Sequence, residues 1–416
     1  MKKSLILFAV TMFMVSCSNE ESVDTLSNNS PGQQVDCIRS FEEAFEIANS
    51  SIAMVDGSAK TRFDKQRKID IKNIKICRDK NNTRSGSVSN DTLMYVFNFT
   101  DEQGFAVVSA SKNTEGLLAV TEKGNYNPDS LSEIGGFNIF MDLAKSYVKN
   151  AEAIGGPKRS PVRPLEKDSV GCRIGAIAGP YISVNWGQRY PEGELCSNGL
   201  CGCTNTSIAQ ILSYYEYPTQ ITLSHLGNQA VTQTLNWSQI KGHQTGHTIS
   251  SCSTTGIHST ISNLLRELGY LNNSEYSYDS YGNPFTGTYR TIVPTTMTGL
   301  GYQTGSWSAY NFSFIKQQLD SEHLFMMSGQ DTYKGRHAWT LDGYKTEEEV
   351  IYHYLQYGIG MPWQLAGIDV INTTNYCHFN WGWYGSHNGY YLSGVFDAGN
   401  SGNYENYLYI LPIYRN

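Results

Sequence analysis

"LCSNGLCGCTNTSIAQILSYYEYP", Leu195 to Pro218, sets three cysteines, Cys196, Cys201 and Cys203, ahead of a run in which Ile208, Ile211, Leu212 and Tyr215 recur at helical spacing. Pro218 closes the run, so the periodicity predicts a helix that begins immediately after Cys203. A thiol there sits among free backbone N–H groups at the positive end of a helix, where thiolate is favoured over thiol and the cysteine becomes nucleophilic near neutral pH. Gly202 permits a tight entry turn. Cys196 and Cys201 lack that placement and read as disulfide or free-thiol candidates. A metal clip built from the three is disfavoured, because their spacing is irregular and no histidine adjoins them.

The chain around this stretch has 416 residues, 40% hydrophobic and 12% aromatic, enough for two or three domains with a sizeable core. A formal charge of -7 without long basic runs speaks against a nucleic-acid groove. The first residues, "MKKSLILFAVTMFMVSCSNE", combine two lysines, a short apolar run and a small residue before Cys17, the pattern of an export signal. The run is too short to span a bilayer. Met14 to Cys17 resembles a bacterial lipobox, which implies lipidation of Cys17, an exported lipoprotein and a membrane anchor; the alternative is an ordinary signal peptide cut near Cys17. Nine cysteines in an exported chain suggest disulfides, but seven remain once a lipidated and a nucleophilic cysteine are set aside. Seven is odd, so at least one would be unpaired, and the sequence specifies no pairing.

Composition divides the chain. Residues 1–17 read as the signal and 18–36, rich in Ser, Asn and Gly, as a flexible tether. From 37 to 154 a small α+β unit is expected. Ser40 and Glu43 make a capping box, helices are predicted from there and over Phe137 to Ala151, and strands are predicted over Leu93 to Phe99, Gly104 to Ala110 and "GLLAVTE". Residues 155–180, with many Gly, Pro and basic residues, read as a linker open to proteolysis. Residues 181–416 form a larger domain, helical near Thr204 to Tyr215 and Ile257 to Leu268 and then rich in strands.

A thiolate nucleophile needs an imidazole that stabilises it and protonates the leaving group. His337, in "KGRHAWTLDGY", opens an apolar run, a place where a side chain at a strand start can face a cleft, though such a histidine taken alone is more often structural or at the surface. His378, in "CHFNWGW", is a rival base on composition alone. The same segment offers Asn380, an amide suited to orienting an imidazole, and Trp381, a ring suited to shielding that bond from water, although tryptophans are most often core residues.

"GCTNTSIAQILSYYEYP", "HAWTLDGY" and "HFNWGWYGSHNGYY" occur in that order, and together they resemble the signature blocks of the streptopain family of bacterial cysteine peptidases, which have a papain-like active site. The resemblance implies Cys203 as nucleophile, His337 as general base, and Asn380 and Trp381 in orienting and shielding roles. "VNWGQRYP" is similar to the segment carrying the family's oxyanion-hole glutamine, which is Gln188 here. "RSFEEAFEIA" and "FNFTDEQGFAVVSASKNTEGLLAVTEKGNY" look like the family's inhibitory propeptide. The expectation is then an α+β, papain-like peptidase domain, with a nucleophile helix and an antiparallel sheet, preceded by a small α+β prodomain.

Activity would follow removal of the prodomain, with Lys158, Arg159 and Arg163 as candidate cleavage positions. Protein or peptide substrates and the chain's own propeptide are the implied partners; no metal or organic cofactor is implied. Three features depart from the family pattern. Arg336 replaces a glycine before the histidine, Cys201 stands two residues ahead of the nucleophile, and the 42 residues between His337 and Asn380 include "KTEEEVIYHYLQYGIGMPWQLAGIDV", read as an inserted loop bordering the cleft. The competing readings are a transglutaminase-like acyltransferase and a non-catalytic surface protein that binds glycans or peptides through its many aromatic residues.

Overall fold

Residues 37–56, 67–79, 92–129, 132–154, 169–242, 255–330, 335–355, 362–397 and 408–415 are described by the computed structural model. Cys17, the signal and tether expected over 1–36, and Lys158, Arg159 and Arg163 lie outside the described residues.

The N-terminal part starts with α1 (Phe41–Asp56). The expected capping box forms: Ser40 Oγ accepts the Glu43 N–H at 3.1 Å, and the Glu43 carboxylate accepts the Ser40 N–H at 2.7 Å. Then come β1 (Ile69–Arg78), β2 (Thr92–Phe99), β3 (Phe105–Ser109), β4 (Leu117–Thr121) and α2 (Gly135–Ile154). Strand β1 has no counterpart in the sequence reading. It is an edge strand whose isoleucines, such as the exposed Ile71, alternate with charged residues.

The C-terminal part opens with β5 (Ser169–Ala178) and helix α3 (Cys203–Tyr215). A lobe of β6 (Gln220–Thr222), β7 (Thr232–Thr234), α4 (Trp237–Lys241), α5 (Thr255–Leu271), β8 (Glu275–Tyr278), β9 (Pro284–Gly287) and α6 (Val293–Gly299) follows. The remainder comprises β10 (Gln303–Thr304), β11 (Ser308–Ala309), α7 (Phe312–Leu319), β12 (Leu324–Gln330), β13 (Arg336–Leu355), β14 (Gln364–Asn380), β15 (Gly389–Leu392) and β16 (Tyr409–Tyr414).

Twelve strands share one sheet in the order β1-β2-β3-β4-β15-β14-β13-β12-β16-β10, with β11 added on β16 and β5 on β13. The junction between the two parts is antiparallel pairing of β4 with β15, Ala119 opposite Tyr391, Val120 opposite Tyr390 and Thr121 opposite Gly389. Alternation of side chains along the strands makes two cores, one on each face. Trp339, Leu341 and Tyr344 of β13 join Phe137 and Phe140 of α2 in one, whereas Ala338 joins Ile208, Ile211 and Leu212 of α3 in the other.

Two expectations are corrected. Residues 169–178, assigned to the linker, form β5, which pairs with β13 from Tyr344 to Tyr352; the alternation in "SVGCRIGAIA" is carried partly by Gly and Ala, so it leaves little periodic signal. Within the segment read as an inserted loop, residues 345–355 and 364–370 are strand instead, the paired outer lengths of β13 and β14, running from Lys345 opposite Tyr376 to Leu355 opposite Gln364 with register shifts at Glu349/Val350 and His353/Tyr354. Its β-branched and aromatic residues, among them Val350, Ile351, Tyr352, Ile368, Val370 and Ile371, favour a ladder over a loop.

Candidate active site

Helix α3 begins at Cys203 itself. Gly202 precedes it at φ 90°, and a Cβ there would meet Thr286 Cγ2 at 2.8 Å, so both backbone conformation and space call for glycine. Cys203 Sγ accepts the Ala338 N–H at 3.4 Å. Burial pushes the thiol up, but the His337 imidazole, by charge and hydrogen bond, and the backbone N–H groups of Ala338 and Thr204 outweigh it, holding the thiol below its ordinary value.

His337 stands at the start of β13, buried, with its ring nearly parallel to Trp339 at 6.3 Å between centroids. Its Nε2 lies 3.3 Å from the Trp381 carbonyl oxygen. That contact differs from the one expected of Asn380. Asn380 is paired with Thr340 and shares its face of the sheet, toward α3. There Asn380 Oδ1 accepts from Gln210 Nε2 at 2.9 Å, and Nδ2 donates to the Val184 carbonyl at 3.0 Å. The atom beside His337 Nε2 in this structure is thus the Trp381 backbone carbonyl, while the Asn380 side chain is bonded to Gln210 and Val184. Trp381 is fully buried, its indole N–H shared between Tyr391 Oη at 2.9 Å and the His387 carbonyl at 3.1 Å, and its ring lies 5.0 Å from that of Trp339.

Gln188 is buried, and its carbonyl accepts the Cys201 N–H at 2.8 Å, tying its segment to the turn just before the nucleophile. Its Nε2 has no hydrogen-bond partner among the described residues. A buried unpaired amide donor is costly unless something uses it. Gln210 is the residue the sequence reading left without a role. Fully buried on α3, it bonds Asn380, accepts from Thr340 Oγ1 at 2.9 Å and donates to the Trp186 carbonyl at 3.3 Å, so one amide joins α3, β13, β14 and the Gln188 segment. Its signal was its place beside Ala209 in the block that resembles the streptopain family.

The other candidates separate. Cys201 is fully buried, near the Gly187 carbonyl at 3.7 Å and Thr206 Oγ1 at 3.3 Å, and burial pushes its thiol well up. Cys196 approaches Tyr276 Oη at 3.8 Å and is raised by burial as well. The three sulfurs thus serve three different environments. His378 is no base near neutrality: its Nδ1 is 2.6 Å from Asp342 Oδ1, and although burial pulls it down, Asp342 and Glu122 push it up to about 10. Arg336, at the mouth of the site, is exposed and donates to Gln330 Oε1 at 3.3 Å.

The N-terminal part covers this site. A Cβ on Gly136 of α2 would fall 2.6 Å from His337 Cδ2 and 2.5 Å from Trp381 Cε3, and one on Gly135 would fall 3.5 Å from His337. Two consecutive glycines let the start of α2 lie directly on the imidazole and indole.

Known proteins give the arrangement its context. Residues 33–148 match the Spi protease inhibitor family, and residues 183–391 match the Peptidase C10 family. The chain is similar to streptopain from Streptococcus pyogenes, 23% identical over 394 residues that cover 87% of this chain and 89% of streptopain. It is also similar to the thiol protease/hemagglutinin PrtT of Porphyromonas gingivalis, 20% identical over 350 residues, 75% of this chain but 35% of PrtT. A prointerpain A fragment from Prevotella intermedia superposes with a TM-score of 0.50 at 20% identity, covering 77% of this chain and 94% of the fragment, which places the two in one α+β fold. With half of its length matched, and an inhibitor-type segment ahead of that match, the chain belongs to the Peptidase C10 family of cysteine-type endopeptidases.

Proposed function

We propose that Cys203 and His337 are the working pair of a thiol endopeptidase held inactive by its own N-terminal domain. Cys203 thiolate attacks the scissile carbonyl of an extended peptide. The oxyanion is held by the Cys203 N–H, at the N-terminus of α3, and by Gln188 Nε2, whose lack of a protein partner supports that role. The His337 imidazolium gives its proton to the departing amine, leaving a thioester on Sγ. His337 then takes a proton from water, the hydroxide attacks the thioester, and the acid product leaves with the thiol restored. Trp381 acts through its carbonyl, on His337 Nε2, and through its ring, which keeps water from that contact. Asn380 acts at one remove, fixing the strand end through Gln210.

The single observation that carries this reading is the Cys203–His337 pair at the start of α3, under Gly135 and Gly136. Substrates are proteins or peptides. Export through residues 1–17, lipidation at Cys17 with a membrane anchor, and activation by cleavage near Lys158, Arg159 or Arg163 complete the proposal, on the composition of those segments. The decisive comparison is the exported chain and its Cys203→Ala variant, assayed for casein hydrolysis after the linker is cut and the N-terminal domain is digested away. Loss of all hydrolysis in the variant is expected; undiminished hydrolysis refutes the assignment.

A further inference from the structure

The turn that follows Gln188 folds a carboxyl back against its own segment. In "WGQRYPEG", Trp186 to Gly193, the Gly193 N–H donates to the Arg189 carbonyl at 2.7 Å, and a Cβ on Gly193 would lie 2.5 Å from the Gln188 carbonyl oxygen. So tight a turn sends Glu192 inward. It is wholly buried, and its Oε1 accepts the Gly187 N–H at 3.4 Å. Its Oε2 has no hydrogen-bond partner among the described residues.

No cation answers this carboxyl. The titratable groups that face it are the Cys201 thiol, in the turn before α3, and the Tyr384 phenol, in the loop after β14. Arg189, in the same turn, is exposed. A buried carboxylate with no ion-pair partner is costly, so the group keeps its proton instead. Burial pushes the Glu192 carboxyl up to about 8, against the pull of its own N–H and that of Gly187.

The other supports of the segment are uncharged as well. The Gly187 carbonyl accepts from Thr206 Oγ1 at 3.3 Å, Tyr384 Oη accepts the Arg189 N–H at 3.0 Å, and the Tyr384 ring lies so close on Gly187 that no Cβ fits there. Neutral supports suit a segment whose next residue, Gln188, turns its amide N–H towards a developing negative charge.

We propose that Glu192 is a positioning residue of the peptidase: its uncharged carboxyl anchors the Gly187 N–H from behind and so holds Gln188 Nε2 towards the reacting carbonyl. The proposal deepens the reading of Gln188 as an oxyanion donor and rests on it. Loss of the proton puts a negative charge one residue from the place where the oxyanion forms, and the two repel.

Turnover is therefore supported while Glu192 holds its proton and falls as pH rises through about 8. Stability carries the same sign. The carboxyl is raised from 4.5 on folding, so its favourable contribution is complete below 4.5 and is lost as pH rises towards 8. Burial holds the Cys201 thiol and the Tyr384 phenol well above that window.

The test compares Glu192→Gln, which keeps an acceptor for the Gly187 N–H and cannot ionise, with Glu192→Leu, which keeps the bulk and loses the acceptor. Peptide hydrolysis is followed from about pH 6 to pH 9 after the linker is cut and the N-terminal domain is digested away, and thermal midpoints are taken on the uncut chains. The ratio of kcat in Glu192→Gln to kcat in the parent should climb from near one at about pH 6 to about tenfold at about pH 9. Glu192→Leu should lose about tenfold in kcat at neutral pH with KM little changed, and the glutamine variant should restore it. The midpoint of Glu192→Gln should exceed the parent's by a margin that widens from about pH 5 to about pH 8. A ratio that stays flat with pH, or midpoints that run together, would overturn the proposal. Gln188→Ala separates the layers: if it loses kcat while the Glu192→Gln ratio stays flat, the oxyanion donor stands and Glu192 alone is refuted. If Gln188→Ala leaves kcat unchanged, the donor is refuted and the role of Glu192 falls with it.

Discussion

At the scale of single residues, the site works because several weak donors agree about one sulfur. Burial alone would keep Cys203 as a thiol, and the reversal depends on His337 more than on the helix end. This sets an order for the pH profile. Because the folded thiol is lowered, the rate of Cys203 alkylation in the activated chain should reach its plateau with an inflection below the ordinary value of 9.0. In His337→Asn, only the Ala338 and Thr204 N–H groups still oppose burial, and the inflection should move up. Alkylation rates across pH in the two proteins decide it, and an unmoved inflection would mean that the helix end, not the imidazole, sets the thiol. Cys203 stood out in the sequence by its place at the start of a helix, whereas His337 was singled out only by the resemblance of its segment to the streptopain family. The Trp381 carbonyl beside His337 Nε2 was not legible, because a backbone carbonyl carries no residue signature. Asn380 looked right by type and position, yet its face of the sheet is fixed by pairing with Thr340, which only the register reveals.

At the scale of elements, α2 is the inhibitor's working surface. Its first residues carry no side chains, which is what brings the helix onto His337 and Trp381. Gly136→Leu places a side chain where those rings already are, and overpacking of this kind typically costs about 1–3 kcal/mol. That strain falls on the docked state, so the uncut variant should label at Cys203 faster than the parent, by about tenfold or more. Labelling no faster than in the parent would mean that α2 does not gate the thiol. The helices themselves were readable, since α1, α3 and α5 carry strong periodicity and, for α1, a capping box. Strands β1 and β5 were not. One is an edge with charged residues along it, the other has Gly and Ala at alternate places, and both hold their form through partners distant in sequence. The outer reach of β13 and β14 is a hairpin, with Leu355 opposite Gln364, and it read as an insertion because register shifts at Glu349/Val350 and His353/Tyr354 interrupt the alternation that marks a strand.

At the scale of the whole molecule, inhibitor and peptidase share a sheet and a core. Phe105, Phe137 and Phe140 from one part pack in the same cluster as Phe379, Trp381 and Tyr391 from the other. An interface that apolar resembles the interior of a domain rather than a transient contact. Cutting the linker should therefore not free the inhibitor. After limited proteolysis of the Cys203→Ala chain, the two fragments are expected to elute together in gel filtration at neutral pH and to separate only in denaturant or on further digestion. Prompt separation after a single cut would show that the covalent link, and not the shared sheet, holds them together.

The strand β15 faces a different future once the inhibitor has gone. Its outer row of N–H and C=O groups, paired with β4 until then, becomes a bare sheet edge flanked by Tyr390 and Tyr391. Bare edges of this kind recruit strands from other chains and seed aggregation. The inhibitory domain is therefore also a cap on that edge, and its removal trades a strand paired within the chain for one whose backbone groups must turn to water or to another strand.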